Sequence, residues 1–151
     1  MIQESMLLLS SLSLGIFLGA QVTEALLFVP NWKSLGADDF FDFYKNYGKK
    51  IHHFFAPLTI AATVLPLITV VYSFIHQTKY QVLFGLMGLF TLAFFLTYFL
   101  YFKEANQRFF DGSLPNEKLP KELKKWGNWH WIRVCFEFIA FGLSLFLLMK
   151  I

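Results

Sequence analysis

Three runs of this chain carry no charged residue over 19 to 23 positions: Ser5 to Thr23, Phe54 to Ile75 and Tyr80 to Phe102. A fourth, Val134 to Met149, carries only Glu137. A helix rising 1.5 Å per residue needs about 20 apolar residues to cross a hydrocarbon core of about 30 Å. Four such runs in 151 residues therefore predict an all-α integral membrane protein, an up-down four-helix bundle with helices at about 6–29, 54–75, 80–102 and 128–149. Composition agrees, with 56% hydrophobic and 15% charged residues, against about 45–50% and about 25% in an average soluble domain. The whole chain, 1–151, is expected to form one transmembrane domain.

The connections supply the orientation. Eleven of the thirteen lysines and arginines fall on the side of the two long connections, with only Lys79 and Lys150 opposite. By the positive-inside rule those connections face the cytoplasm and both termini lie outside, as in a bacterial inner-membrane protein. The lysines thus read as orientation charges in contact with the lipid bilayer, and no nucleic acid is expected as a partner. The first run lacks a basic leader and a small-residue cleavage site, so it is expected to be a mature helix. Pro30 should lie just beyond the end of that helix.

In the first connection, Asp38 or Asp39 is expected to cap a short interfacial helix. Phe40, Phe41, Tyr44 and Tyr47 would share one side of it, and Gly48 would end it. Pro57 should sit in the first turn of the second helix, and Pro66 should kink it. Asp111 to Asn116 reads as a turn, and Lys118 to Lys125 as a solvated segment. Ser11, Gly15, Gly19 and Thr23 form a small-residue stripe, and Gly85 and Gly88 a second. Such stripes suit close helix packing, and between copies of the chain they would support a homo-oligomer. Cys135 is the only cysteine, which excludes an intrachain disulfide.

Candidate functional residues gather on the side of the long connections. His130, Arg133 and Glu137 are spaced i, i+3 and i+7, so they share one helix face. Charged groups at bilayer depth cost several kcal/mol and normally face protein. The expected order of depth is His130 near the interface, Arg133 one turn in and Glu137 deepest. Glu24, His52, His53, Glu104, Asn106 and Arg108 fall at the same side, with Thr59 on a stripe that leads inward from His52. Adjacent His52 and His53 point about 100° apart, so at most one of them is expected to face the bundle. Together these residues predict a polar pocket suited to a hydrophobic small molecule with one or two polar atoms, contacted by Glu24, Glu137 and Thr59.

The Gly-rich first helix ending in an acidic residue and a proline (Gly15, Gly19, Glu24, Pro30), the Glu104-Ala105-Asn106-Gln107-Arg108 segment and Trp129-His130-Trp131-Ile132-Arg133 opening the last helix carry a resemblance. The chain resembles the small four-helix membrane proteins related to anthrone oxygenases. The resemblance implies a four-helix bundle that oxidises a polycyclic phenolic substrate with dioxygen and without a cofactor, with Asn106, Trp129 and Arg133 as site residues.

Three classes of function follow. In an oxidoreductase, His130 or His52 would act as general base while Arg133 and Asn106 stabilise an oxyanion. A purely structural account makes Arg133 and Glu137 a self-neutralising pair. In a metal- or haem-binding protein, Glu24, His52, His53, Glu104 and His130 are the available ligand types, though no Glu-x-x-His or His-x-x-x-His spacing occurs. The third class is a non-catalytic subunit or lipid-binding module. No phosphate loop, Cys-x-x-Cys or nucleophile elbow is present, and no cofactor is expected.

Overall fold

The computed structural model describes all 151 residues, and they form helices with no strand. Four long helices dominate: α1 Ile2–Ser34, α2 Ala37–Ile75, α3 Gln81–Asp111 and α4 Asn116–Leu148. Each is long and apolar enough to cross a membrane. Helix α1 packs on α2 and α4, and α3 on the same two, so the four enclose a common core.

Every helix overruns its sequence-based bounds on the side of the long connections, and each overrun has a local cause. Pro30 does not end the first helix. The chain widens into a π turn over Glu24–Phe28, where the Val29 N–H donates to the Glu24 carbonyl five residues back, and helix resumes at Val29–Ser34. A wider turn accommodates a proline that has no N–H of its own to offer. The separate interfacial helix is also absent. Ala37–Ile75 is one 39-residue helix, about 58 Å long and nearly twice a hydrocarbon core.

Gly48 sits inside that helix, where an added Cβ would come within 3.0 Å of the Tyr44 ring. It marks a close approach to an aromatic ring. Phe40 and Tyr44 are buried, whereas Tyr47 points outward. The third helix passes through a second π turn, Tyr98–Phe102, and runs on to Asp111, where Gly112 at φ +61° closes it. The lysine-rich segment is the start of α4: Leu119, Leu123 and Trp126 recur on one face and are buried, while Lys121, Lys124 and Lys125 turn outward.

These extensions build an aromatic head. Trp32, Phe40, Tyr44, Phe102, Phe109 and Trp126 pack together with ring centroids as close as 5.1 Å. Toward the opposite end Leu7, Phe84, Met87 and Leu147 form a smaller apolar cluster beside paired hydroxyls. Ser10 bonds Thr69 at 2.8 Å, Ser11 donates to Ser144 at 3.0 Å, and Gln3 donates to Thr78 at 3.2 Å. Interhelical hydroxyl bonds of this kind hold helices together where the surroundings are apolar.

The glycine stripes are partly consumed inside the chain. Gly15 lies under Phe141, Gly85 against Phe74 and Gly88 against Val70, while Gly19 has nothing within 4 Å of an added Cβ.

Candidate functional site

At the level of both π turns a cavity of about 540 Å³ opens between α2 and α3. Ten of its 21 lining residues belong to α2 and seven to α3. Helices α1 and α4 give only Glu24, Trp32, Trp126 and Arg133, which form the back wall. Aromatic side chains, among them Phe55, Phe95, Phe99 and Tyr98, supply the sides.

The back wall holds a connected polar chain. Asn106 Oδ1 accepts a hydrogen bond from Trp126 Nε1 at 2.9 Å, and the Trp126 ring stacks on His130 at 5.1 Å. Arg133 Nη2 lies 2.7 Å from His130 Nδ1 and 3.5 Å from Glu24 Oε2. A guanidinium has only donors, so Nδ1 must accept. The ring proton therefore sits on Nε2, which donates to the Gln21 carbonyl at 2.8 Å. The Phe102 ring lies 4.2 Å beneath the guanidinium and adds a cation–π contact.

This arrangement changes the roles that the sequence suggested. His130 is 0% exposed and both of its nitrogens are engaged. The expectation that it sits near the interface as a general base does not fit that geometry. The α-helical part of α4 starts at Leu119, eleven residues before His130, so His130 lies well inside the fold and holds Arg133. Arg133 pairs with Glu24 from another helix, and no Arg133–Glu137 ion pair forms.

The remaining candidates divide by position. Glu24, His52, His53, Thr59, Asn106 and Arg133 all line the cavity, so both histidines reach it where at most one was expected. Trp129 lies elsewhere, stacked on Tyr101 at 5.3 Å with the planes 9° apart. Arg108 is bound to Glu122 at 3.1 Å and Glu104 is exposed. For a metal, no three His, Cys, Asp or Glu side chains converge. His130 is sealed under Trp126 while His52 and His53 are exposed, so the set Glu24, His52, His53 and His130 does not assemble into a ligand shell.

Sequence reasoning did not single out Trp126 or Phe102 as partners of the site. Trp126 was legible as the residue one helical turn before His130. Phe102 had no comparable signal, since its placement depends on the π turn.

Glu137 is fully buried, and neither carboxylate oxygen has a hydrogen-bond partner. An unsatisfied buried polar group costs about 1–3 kcal/mol. Glu137→Leu is expected to raise the unfolding free energy in detergent micelles by about that amount. No gain, or a loss, would show that the carboxyl is compensated.

The fold and back wall together define a helical protein with an aromatic-walled lateral cavity closed by a buried ion pair. Compared with known proteins, the chain matches no protein-family model, no curated protein and no solved structure.

Proposed function

We propose that this chain is an integral membrane protein whose lateral cavity binds a hydrophobic small molecule against the Glu24–Arg133 pair. Its helices alternate in direction, the aromatic head and long connections face the cytoplasm, and both termini face outward. The contacts of Ser11 with Ser144 and of Gln21 with His130 support opposite senses for α1 and α4. Large apolar side chains on the outside, such as Ile16, Ile60, Leu89 and Leu100, and paired hydroxyls inside support a lipid surround.

The observation that carries the reading is the cavity itself. Its volume falls within the range of about 300–1,000 Å³ typical of ligand pockets, and its back wall is a carboxylate and a guanidinium held by a buried network. Groups that cost so much to bury are characteristic of functional sites within a bilayer. Both π turns border the cavity, and such turns recur at functional sites.

The resemblance to anthrone oxygenases extends the proposal to chemistry: oxidation of a polycyclic phenol by dioxygen, an activated CH₂ becoming a carbonyl and the second oxygen atom leaving as water. Because His130 is engaged, the general base in this reading is Glu24, with His52 nearer the opening. Arg133 and the Asn106 amide nitrogen are the donors for the oxyanion.

The test is oxygen uptake by the purified protein given 1,8-dihydroxyanthrone. Uptake should exceed that of a protein-free control, and Glu24→Gln should lower it by about 10²-fold, the smaller end of the range for general-base catalysis. Binding without protein-dependent uptake would remove the chemistry and leave a ligand-binding protein.

A further inference from the structure

The charges around the cavity are lopsided. Lys49, Lys103 and Arg133 line it, against one carboxylate, Glu24, which Arg133 already faces at 3.5 Å. Lys49 and Lys103 are exposed at the rim, Lys49 with its ammonium 5.5 Å from the Phe110 ring centroid. The uncharged part lies further along α2. The register set by Lys49 over Phe110 and by Val70 against Gly88 brings Ile60 level with Phe99. Both line the cavity, yet they are 60% and 56% exposed, so they form the jambs of a side opening. From Lys49 to Ile60 is eleven residues, about 16 Å along the helix.

We infer that the cavity takes a single-tailed monoanionic amphiphile, a hydrophobic acid that enters sideways between α2 and α3 and rests its anionic group against Lys49 and Lys103. This rests on the reading of the cavity as a ligand site and is independent of the anthrone chemistry, for it names a hydrophobic acid where that chemistry names a phenol. Lys49 and Lys103 lie toward the Phe110 end, and beyond Lys103 the lining of Phe95, Phe99 and Ile60 is uncharged, which matches a molecule polar at one end only. A neutral ligand would leave the two rim lysines without a function in binding. A volume of about 540 Å³ suits one chain or a flat ring system. Opposite charge at a partly desolvated rim adds affinity and orientation.

Trp32 and Trp126 line the cavity and are 1% and 3% exposed, so they act as built-in reporters. With Trp129 and Trp131 replaced by Phe, the full-length protein in a neutral detergent would be titrated with 9,10-dibromostearic acid, its methyl ester and a dibrominated phosphatidylglycerol. The acid should quench the remaining fluorescence saturably and bind at least about tenfold more tightly than the ester. Lys49→Gln together with Lys103→Gln, which keeps most of each stem, should bring the affinity for the acid down to that for the ester. Both lysines are exposed, so the change should hardly disturb folding.

Equal binding of acid and ester would overturn the inference while the cavity remains a ligand site. Tighter saturable quenching by the phosphatidylglycerol would overturn the single-tailed assignment. If none of the three quenches saturably but 1,8-dihydroxyanthrone does, the inference falls and the ligand site stands; if that also fails to quench, both fall.

Discussion

Arg133→Ala is expected to lower the unfolding free energy by about 3–5 kcal/mol, the range found when one member of a buried ion pair is removed. The substitution takes away the donor at 2.7 Å from His130 Nδ1 and the cation 3.5 Å from Glu24. Glu24, only 4% exposed, is then a buried carboxylate without a countercharge. The Phe102 ring also loses the guanidinium above it.

Truncating Glu24 as well should recover much of the loss, because the double variant Glu24→Ala, Arg133→Ala leaves no lone charge behind. Equilibrium unfolding in mixed micelles, arranged as a double-mutant cycle, measures this coupling. A single variant that costs less than about 1 kcal/mol, or a cycle that is additive, would mean that the pair is solvated through the cavity.

The number of long helices was legible because three charge-free runs of 19 to 23 residues, and a fourth run interrupted only by Glu137, leave few alternatives. Their ends were not, because the local stop signals were overridden. Pro30 and Gly48 are ordinary stop signals, but a π turn absorbs the first and the Tyr44 ring covers the second. The start of α4 was masked by composition. Leu119, Leu123 and Trp126 follow helical spacing in plain view, yet the lysines among them suggest a solvated strand of chain.

The site was legible to a similar depth. Glu24, Arg133, Asn106, His52 and Thr59 were identified from residue type and span position, and all reach the cavity. Their partners were not legible, because pairing across helices depends on register. Spacing alone joins Arg133 to Glu137, four residues away on its own helix, whereas packing joins it to Glu24 on α1. The hydrogen-bond setting of His130 depends on the same register, since the Gln21 carbonyl that holds its Nε2 belongs to α1.

Trp32→Ala is expected to cost about 3–5 kcal/mol, as for other large aromatic residues truncated in a core. Trp32 is 1% exposed and touches rings from three helices: Phe28 in α1, Phe40 and Tyr44 in α2, and Trp126 in α4 at 5.3 Å. Its Nε1 has no partner, so the loss is one of packing with no hydrogen bond involved. Trp32→Phe should therefore lose less than half as much, since it keeps a ring in place and removes the unsatisfied N–H. The damage should also reach the cavity. Trp126 stands between Trp32 and His130, and a void on one side of it loosens the stack that holds His130 under Arg133. Equilibrium unfolding would give the first effect, and amide exchange at the Gln21 to Glu24 turn the second. Normal protection there, beside a large loss of stability, would show that the aromatic head and the Arg133 network are energetically separate.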